Sequence, residues 1–146
     1  MDVTALSDDA RRYLEQHRVA RLATASGDGQ PHVIPFCYAL LGNSIYFVID
    51  EKPKRTLLGL KRLENIRANP QVALVVDDYS DDWAQLSYLL VRGRAVIVDD
   101  RSEYELALQQ LRIRYPPYEA MSLTFDTNPM VRITPERVKL WRSATG

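Results

Sequence analysis

Residues 19–50 read VARLATASGDGQPHVIPFCYALLGNSIYFVID, and this stretch decides the fold. Val19 to Ala25 and His32 to Leu40 have strand composition, and the turn Ser26-Gly27-Asp28-Gly29 between them predicts a hairpin. A second turn, Gly42-Asn43, leads into Ser44 to Asp50, where Ile45, Phe47 and Ile49 alternate with Ser44, Tyr46 and Val48. One face of that strand is apolar and the other mixed, so the segment reads as an antiparallel meander. Pro31 and Pro35 lack N–H groups and interrupt any ladder they join, which places their strand beside a gap. His32, Ile34, Phe36 and Tyr38 share one face of it. The opposite face carries Val33, Pro35, Cys37 and Ala39, small enough to admit a flat ring against the backbone.

Working outward, Thr4 to His17 has helical spacing of Leu6, Ala10, Tyr13, Leu14 and His17, with Ser7 as N-cap and Asp8 and Asp9 at the positive end. Pro53 to Ala68 predicts a basic-faced helix, with Leu57, Leu60, Leu63 and Ile66 among lysines and arginines and Asn69-Pro70 as the stop. Gln71 to Val76 is a short β-branched strand, the acidic loop Asp77 to Asp82 follows, and Leu86 to Val98 is the longest strand. On it Leu89, Val91, Gly93, Ala95 and Ile97 share a face opposite Arg92 and Arg94, and Gly93 marks a bend of the kind a curling sheet needs. Ser102 and Glu105 have capping-box spacing for a third helix that ends at Tyr115-Pro116-Pro117. Tyr118 to Asn128 reads as loop or broken helix. Val131 to Ile133 and Arg137 to Trp141, split by the turn Thr134-Pro135-Glu136, are closing strands. The expectation from these elements is a mainly β fold, six to seven short antiparallel strands forming a barrel with peripheral helices, in one domain spanning 1–146.

Composition narrows the function. Among 146 residues, 19 lysines and arginines balance 19 aspartates and glutamates, so no global positive field favours nucleic acid or anionic membrane. The single cysteine excludes an intramolecular disulfide, no signal peptide is evident, and no apolar run approaches bilayer length, which together point to a cytoplasmic protein. A phosphate loop, a dinucleotide fingerprint and a nucleophile elbow are all missing. Two histidines in separate elements and one cysteine make a protein-bound metal an unlikely design, and the aspartates of residues 77–82 lack the glycine and closing glutamate of a calcium loop.

Beside the proline-bearing strand, two further features exceed what a plain barrel needs. Lys52, Lys54, Arg55, Lys61 and Arg62 straddle a strand end and a helix start, where free N–H groups and cations bind phosphates together. The bland alternative is a solvated helix face. Trp83 and Tyr88 near the acidic loop would cover a heterocycle, seal a subunit interface, or fill the core.

The order of these pieces resembles the pyridoxamine 5'-phosphate oxidase-like split β-barrel superfamily, in its branch of coenzyme F420-dependent oxidoreductases. The resemblance rests on Arg21-Leu22-Ala23-Thr24, Pro31-His32-Val33-Ile34-Pro35, Ile45-Tyr46-Phe47, Lys52-Pro53-Lys54, Asn65-Ile66 with Asn69-Pro70, Asp82-Trp83, Val91-Arg92-Gly93-Arg94-Ala95 and the closing run Thr134 to Trp141, and so covers nearly the whole chain. It implies a homodimer with the cofactor between subunits, the ring on Val33, Ile34, Pro35 and Phe36 and the phosphate near Lys52, Lys54, Arg55 and Lys61. Trp83 is carried as a further cofactor contact. Tyr88 holds a place on the long strand where family members approach the ring, without the glutamine some relatives use, a departure from FMN binding of the oxidase type. The implied chemistry is hydride transfer from reduced F420 to a small conjugated acceptor, with Tyr38, Tyr88 or water as proton source. The alternatives are an FMN-dependent reductase or oxidase, or a protein that binds flavin, deazaflavin or haem without turnover.

Overall fold

The computed structural model describes residues 6–50 and 57–143, with the backbone alone at 57–60. In chain order the elements are α1 (Asp8–Gln16), β1 (Ala20–Ala25), β2 (Pro31–Phe36), β3 (Ala39–Leu41), β4 (Ser44–Val48), α2 (Leu57–Ala68), β5 (Gln71–Asp78), β6 (Ser87–Ile97), α3 (Arg101–Arg114) and β7 (Met130–Arg142). Single 3-10 turns occupy Trp83–Gln85 and Pro116–Ala120. Among the described residues no helix is long and apolar enough to cross a membrane.

The seven strands form one antiparallel sheet in the order β2-β1-β5-β6-β7-β4-β3. Laid flat, its edges would stand roughly 29 Å apart at about 4.8 Å per strand. Yet β2 and β3 are those edges, and only Cys37 and Tyr38 join them. Two residues bridge at most about 11 Å. The sheet therefore has to curl until its margins meet, and the result is a split barrel with a slit beside β2.

Alternation along the strands fills the interior. Leu22, Phe36, Ile45, Phe47, Leu74, Leu89, Val91 and Ile133 form its buried cluster, and α1 adds Ala10, Tyr13 and Leu14 while α2 adds Leu63 and Ile66. The mixed face of β4 is buried as well, because α3 covers it: Tyr46 and Val48 pack with Tyr104, Leu108, Leu111 and Met130 in a second cluster. Ser7 caps α1 through its hydroxyl, which accepts the Ala10 N–H at 3.1 Å.

Four expectations are corrected. His32 to Leu40 is two strands, since Tyr115 at the end of α3 takes the backbone of Tyr38 out of the ladder: its hydroxyl accepts the Tyr38 N–H at 3.1 Å and lies 3.0 Å from the Tyr38 carbonyl. The closing segment is one strand, β7, because Pro135 sits opposite Gly93 at a bulge, a position that needs no N–H from it. A side chain on Gly93 would collide with the Thr134 carbonyl oxygen, so the expected bend has a steric cause. The cap of α3 is Asp100, which accepts the Glu103 N–H at 3.0 Å, two residues before Ser102. Finally, α2 is not basic on its solvent face alone, for Arg62 is turned inward and 6% exposed. The expected helix start at Pro53 lies outside the described residues.

Candidate functional site

A cleft of about 380 Å³ opens along the free margin of β2. Its floor is built from both directions of the strand alternation. Ile34 and Phe36 come from the barrel side, Pro35 and Cys37 from the outer side, and Phe47 and Val48 approach from β4. Phe36 meets Phe47 edge to face with ring centroids 5.2 Å apart, which fixes the apolar wall. Pro35 is exposed at the mouth and pairs with Arg21 of β1 on its other side. Its missing N–H leaves the open side of the strand less polar than an ordinary edge.

Three polar side chains join this wall. Asp50, just beyond β4, continues the period of Tyr46 and Val48, and Tyr118 reaches it from the 3-10 turn after α3, donating its hydroxyl to Oδ2 at 3.0 Å. Burial pushes the Tyr118 phenol well above its usual range, and the neighbouring Asp50 charge adds to this, so the group stays protonated and acts as a donor. Arg62 arrives from α2, with its guanidinium 5.9 Å above the Phe47 ring. Cys37 completes the lining. Burial, followed by the charge of Asp50, raises its thiol, which makes it a poor nucleophile at neutral pH.

The residues singled out from the sequence separate into groups. Ile34, Pro35 and Phe36 line the cleft together. Val33 faces outward from the barrel and is 61% exposed. Lys61 is partly buried, and its charge adds to the lowering of the Asp28 carboxyl, whose largest cause is the hydrogen bond from the Ser26 hydroxyl. Trp83 stands 69% exposed on its 3-10 turn. Tyr88 lies on the outer face of β6, stacked on Trp141 with centroids 5.4 Å apart, and neither aromatic lines the cleft. Lys52, Lys54 and Arg55 lie outside the described residues.

Of the two tyrosines considered as proton sources, Tyr38 is spent elsewhere. It is buried, and its hydroxyl lies 2.7 Å from the Leu14 carbonyl and 2.9 Å from that of His17. Asp50 and Tyr118 are the polar residues that sequence reasoning passed over. Asp50 was readable as the outer-face end of the β4 period; Tyr118 carries no such signal, because its segment has no pattern and the contact joins residues 68 apart in the chain.

The family described as pyridoxamine 5'-phosphate oxidase matches residues 6–142. Solved structures share the fold. A conserved hypothetical protein from Mycobacterium tuberculosis is 23% identical, with a TM-score of 0.73 over 96% of this chain and 88% of that one. An FAD-binding protein from Mesorhizobium loti is 26% identical, with a TM-score of 0.68 over 93% and 94%. The heme storage protein HutZ from Vibrio cholerae is 18% identical, with a TM-score of 0.70 over 94% of each chain. No curated protein sequence matches the chain.

Proposed function

The chain belongs to the pyridoxamine 5'-phosphate oxidase family, and from that premise we propose that it is an oxidoreductase that holds a flavin-like ring in the β2 cleft, with the deazaflavin F420 as its coenzyme. The observation that carries the reading is the cleft itself. At about 380 Å³ it falls within the usual range for small-ligand sites, roughly 300–1,000 Å³. It also combines an apolar wall with a few convergent polar groups.

The donor set fits such a ring. Ile34, Phe36 and Phe47 supply an apolar face and keep water from it; Asp50 and Arg62 supply one acceptor and one group of donors at its edge. Lys52, Lys54 and Arg55 follow Asp50 closely in the chain and supply the counter-charge for a phosphate. When bound, F420 supplies hydride transfer at a ring carbon, and the protein's task is orientation and exclusion of water. Cys37, kept as a thiol, does not compete as a nucleophile.

An FMN or FAD enzyme is the second reading, favoured by the likeness to the FAD-binding protein, 94% of whose length this chain covers. A binding protein without turnover is the third. Haem is the least suited occupant, since no histidine lines the cleft and burial keeps Cys37 a thiol rather than a thiolate ligand. Titrating purified protein with F420, FMN, FAD and haem separates the occupants. Micromolar binding of F420 with accelerated oxidation of its reduced form by enones or quinones is the expected result. Retention of FMN or FAD alone removes F420, and tight binding without acceleration across such a panel removes the enzyme.

A further inference from the structure

The cleft is lined mainly by hydrocarbon and carries a carboxylate, that of Asp50. A carboxylate facing apolar surroundings is costly to leave without donors. Among the described residues Tyr118 is the hydrogen-bond partner of Asp50, and it engages Oδ2 alone at 3.0 Å. A carboxylate accepts about four hydrogen bonds, of which the one from Tyr118 fills a single site on Oδ2, and Asp50 lines the cleft. Tyr118 is 6% exposed and packed in the cluster under α3, so it holds the carboxylate in one orientation.

What such a group selects is a ligand edge that carries an N–H. Flavins and deazaflavins share one, an imide N–H between two carbonyls, whereas phosphate and carboxylate ends are repelled at this position. Arg62, lining the same cleft, offers N–H donors suited to a flanking carbonyl. Resting on the proposed function, we infer that Asp50 recognises the imide edge of the bound ring by accepting its N–H, and that Tyr118 is the positioning residue that aims the carboxylate.

The test uses the intact protein with two pairs of probes, FMN with its N3-methyl derivative and 8-hydroxy-5-deazariboflavin with its N3-methyl derivative, titrated by fluorescence and calorimetry. Methylation removes the donor and leaves the ring otherwise alike. The wild type is expected to bind each methylated probe about ten- to a hundredfold more weakly than its parent, the usual size of a lost hydrogen bond to a charged group. In Asp50→Leu the parent weakens to the level of the methylated probe and the discrimination vanishes. Asp50→Asn, close in shape and so less disruptive to folding, retains part of it through its amide oxygen. Tyr118→Phe reduces the discrimination without abolishing it. Equal affinity for parent and methylated probes in the wild type overturns the inference while the proposed function stands, as does undiminished discrimination in a folded Asp50→Leu protein. Failure of all four probes to bind overturns the proposed function and, with it, this assignment.

Discussion

Gly93 shows how one missing side chain shapes the barrel. A Cβ there meets the Thr134 carbonyl carbon at 3.0 Å and the carbonyl oxygen closer still, and both are backbone, which yields little. Gly93→Ala is expected to cost about 2–3 kcal/mol, the upper range for overpacking, read as a lowered urea midpoint at unchanged slope. The cations after Asp50 are tested differently. Replacing Lys52 and Lys54 together by alanine should weaken a phosphorylated cofactor by about 2–4 kcal/mol while riboflavin, which has no phosphate, binds as before. Equal losses for both ligands would move the phosphate elsewhere. At this scale the legible residues are those whose geometry is local: Ser7 announces a cap, and Gly93 announces a bend. Arg62 was not legible as an inward residue, because a basic helical sequence looks the same whether one arginine faces water or a cleft.

Between elements, the ends of α1 and α3 hold each other. Arg114, the last residue of α3, donates to the carbonyls of Leu14 and Glu15 at 3.0 Å each and to that of His17, while Arg18 returns a bond to the Arg114 carbonyl at 2.6 Å. Two helix C-termini, each carrying partial negative charge, are thus satisfied by guanidinium groups from the opposite side. Arg114→Met is expected to lower stability by about 2–3 kcal/mol, and Arg114→Lys should not restore it, since a single ammonium cannot span the same carbonyls. Thermal melts of the three proteins decide this. Tyr115 is the second fastener: Tyr115→Phe leaves the buried Tyr38 N–H without its acceptor, with an expected loss of about 1–3 kcal/mol. These contacts explain why the break between β2 and β3 escaped sequence reading. The residues at the break have ordinary strand composition, and the reason for stopping there is supplied by a tyrosine from a distant helix. The same holds for Asp50 and Tyr118, whose pairing no periodicity encodes.

For the molecule as a whole, strand alternation and turn signals sufficed to foresee an antiparallel barrel, because strand parity is a local property that every strand obeys at once, while the gap beside β2 was read from Pro31 and Pro35. One contribution to its pH-dependent stability lies where the second cluster meets solvent. Burial alone would raise the Glu103 carboxyl, but hydrogen bonds from Tyr46 and Arg132, both 2.6 Å from Oε2, outweigh it and hold the carboxyl below its usual 4.5. The unfolded chain then takes up that proton first, so this contribution is present above about pH 4.5 and fades as pH falls through the lowered value. At the other limit burial, reinforced by the bond to Glu103, pushes Tyr46 up to about 12, so its contribution is lost between the ordinary value of 10 and about 12. Urea midpoints across both ranges should show Glu103→Gln losing part of the acid dependence, and Tyr46→Phe losing part of the alkaline one.

One pairing in the sheet also bears on how the chain is made. β4 is hydrogen-bonded to β7, with Ile45 opposite Ile133 and Val48 opposite Met130. Until the ribosome has released Met130 to Ile133, the nascent polypeptide has nothing to lay against that side of β4, and its early hairpins stay wet along one lip. Translation therefore exposes a greasy, unpaired ribbon for most of its duration, and chaperone demand for this small barrel should peak just before the last strand emerges.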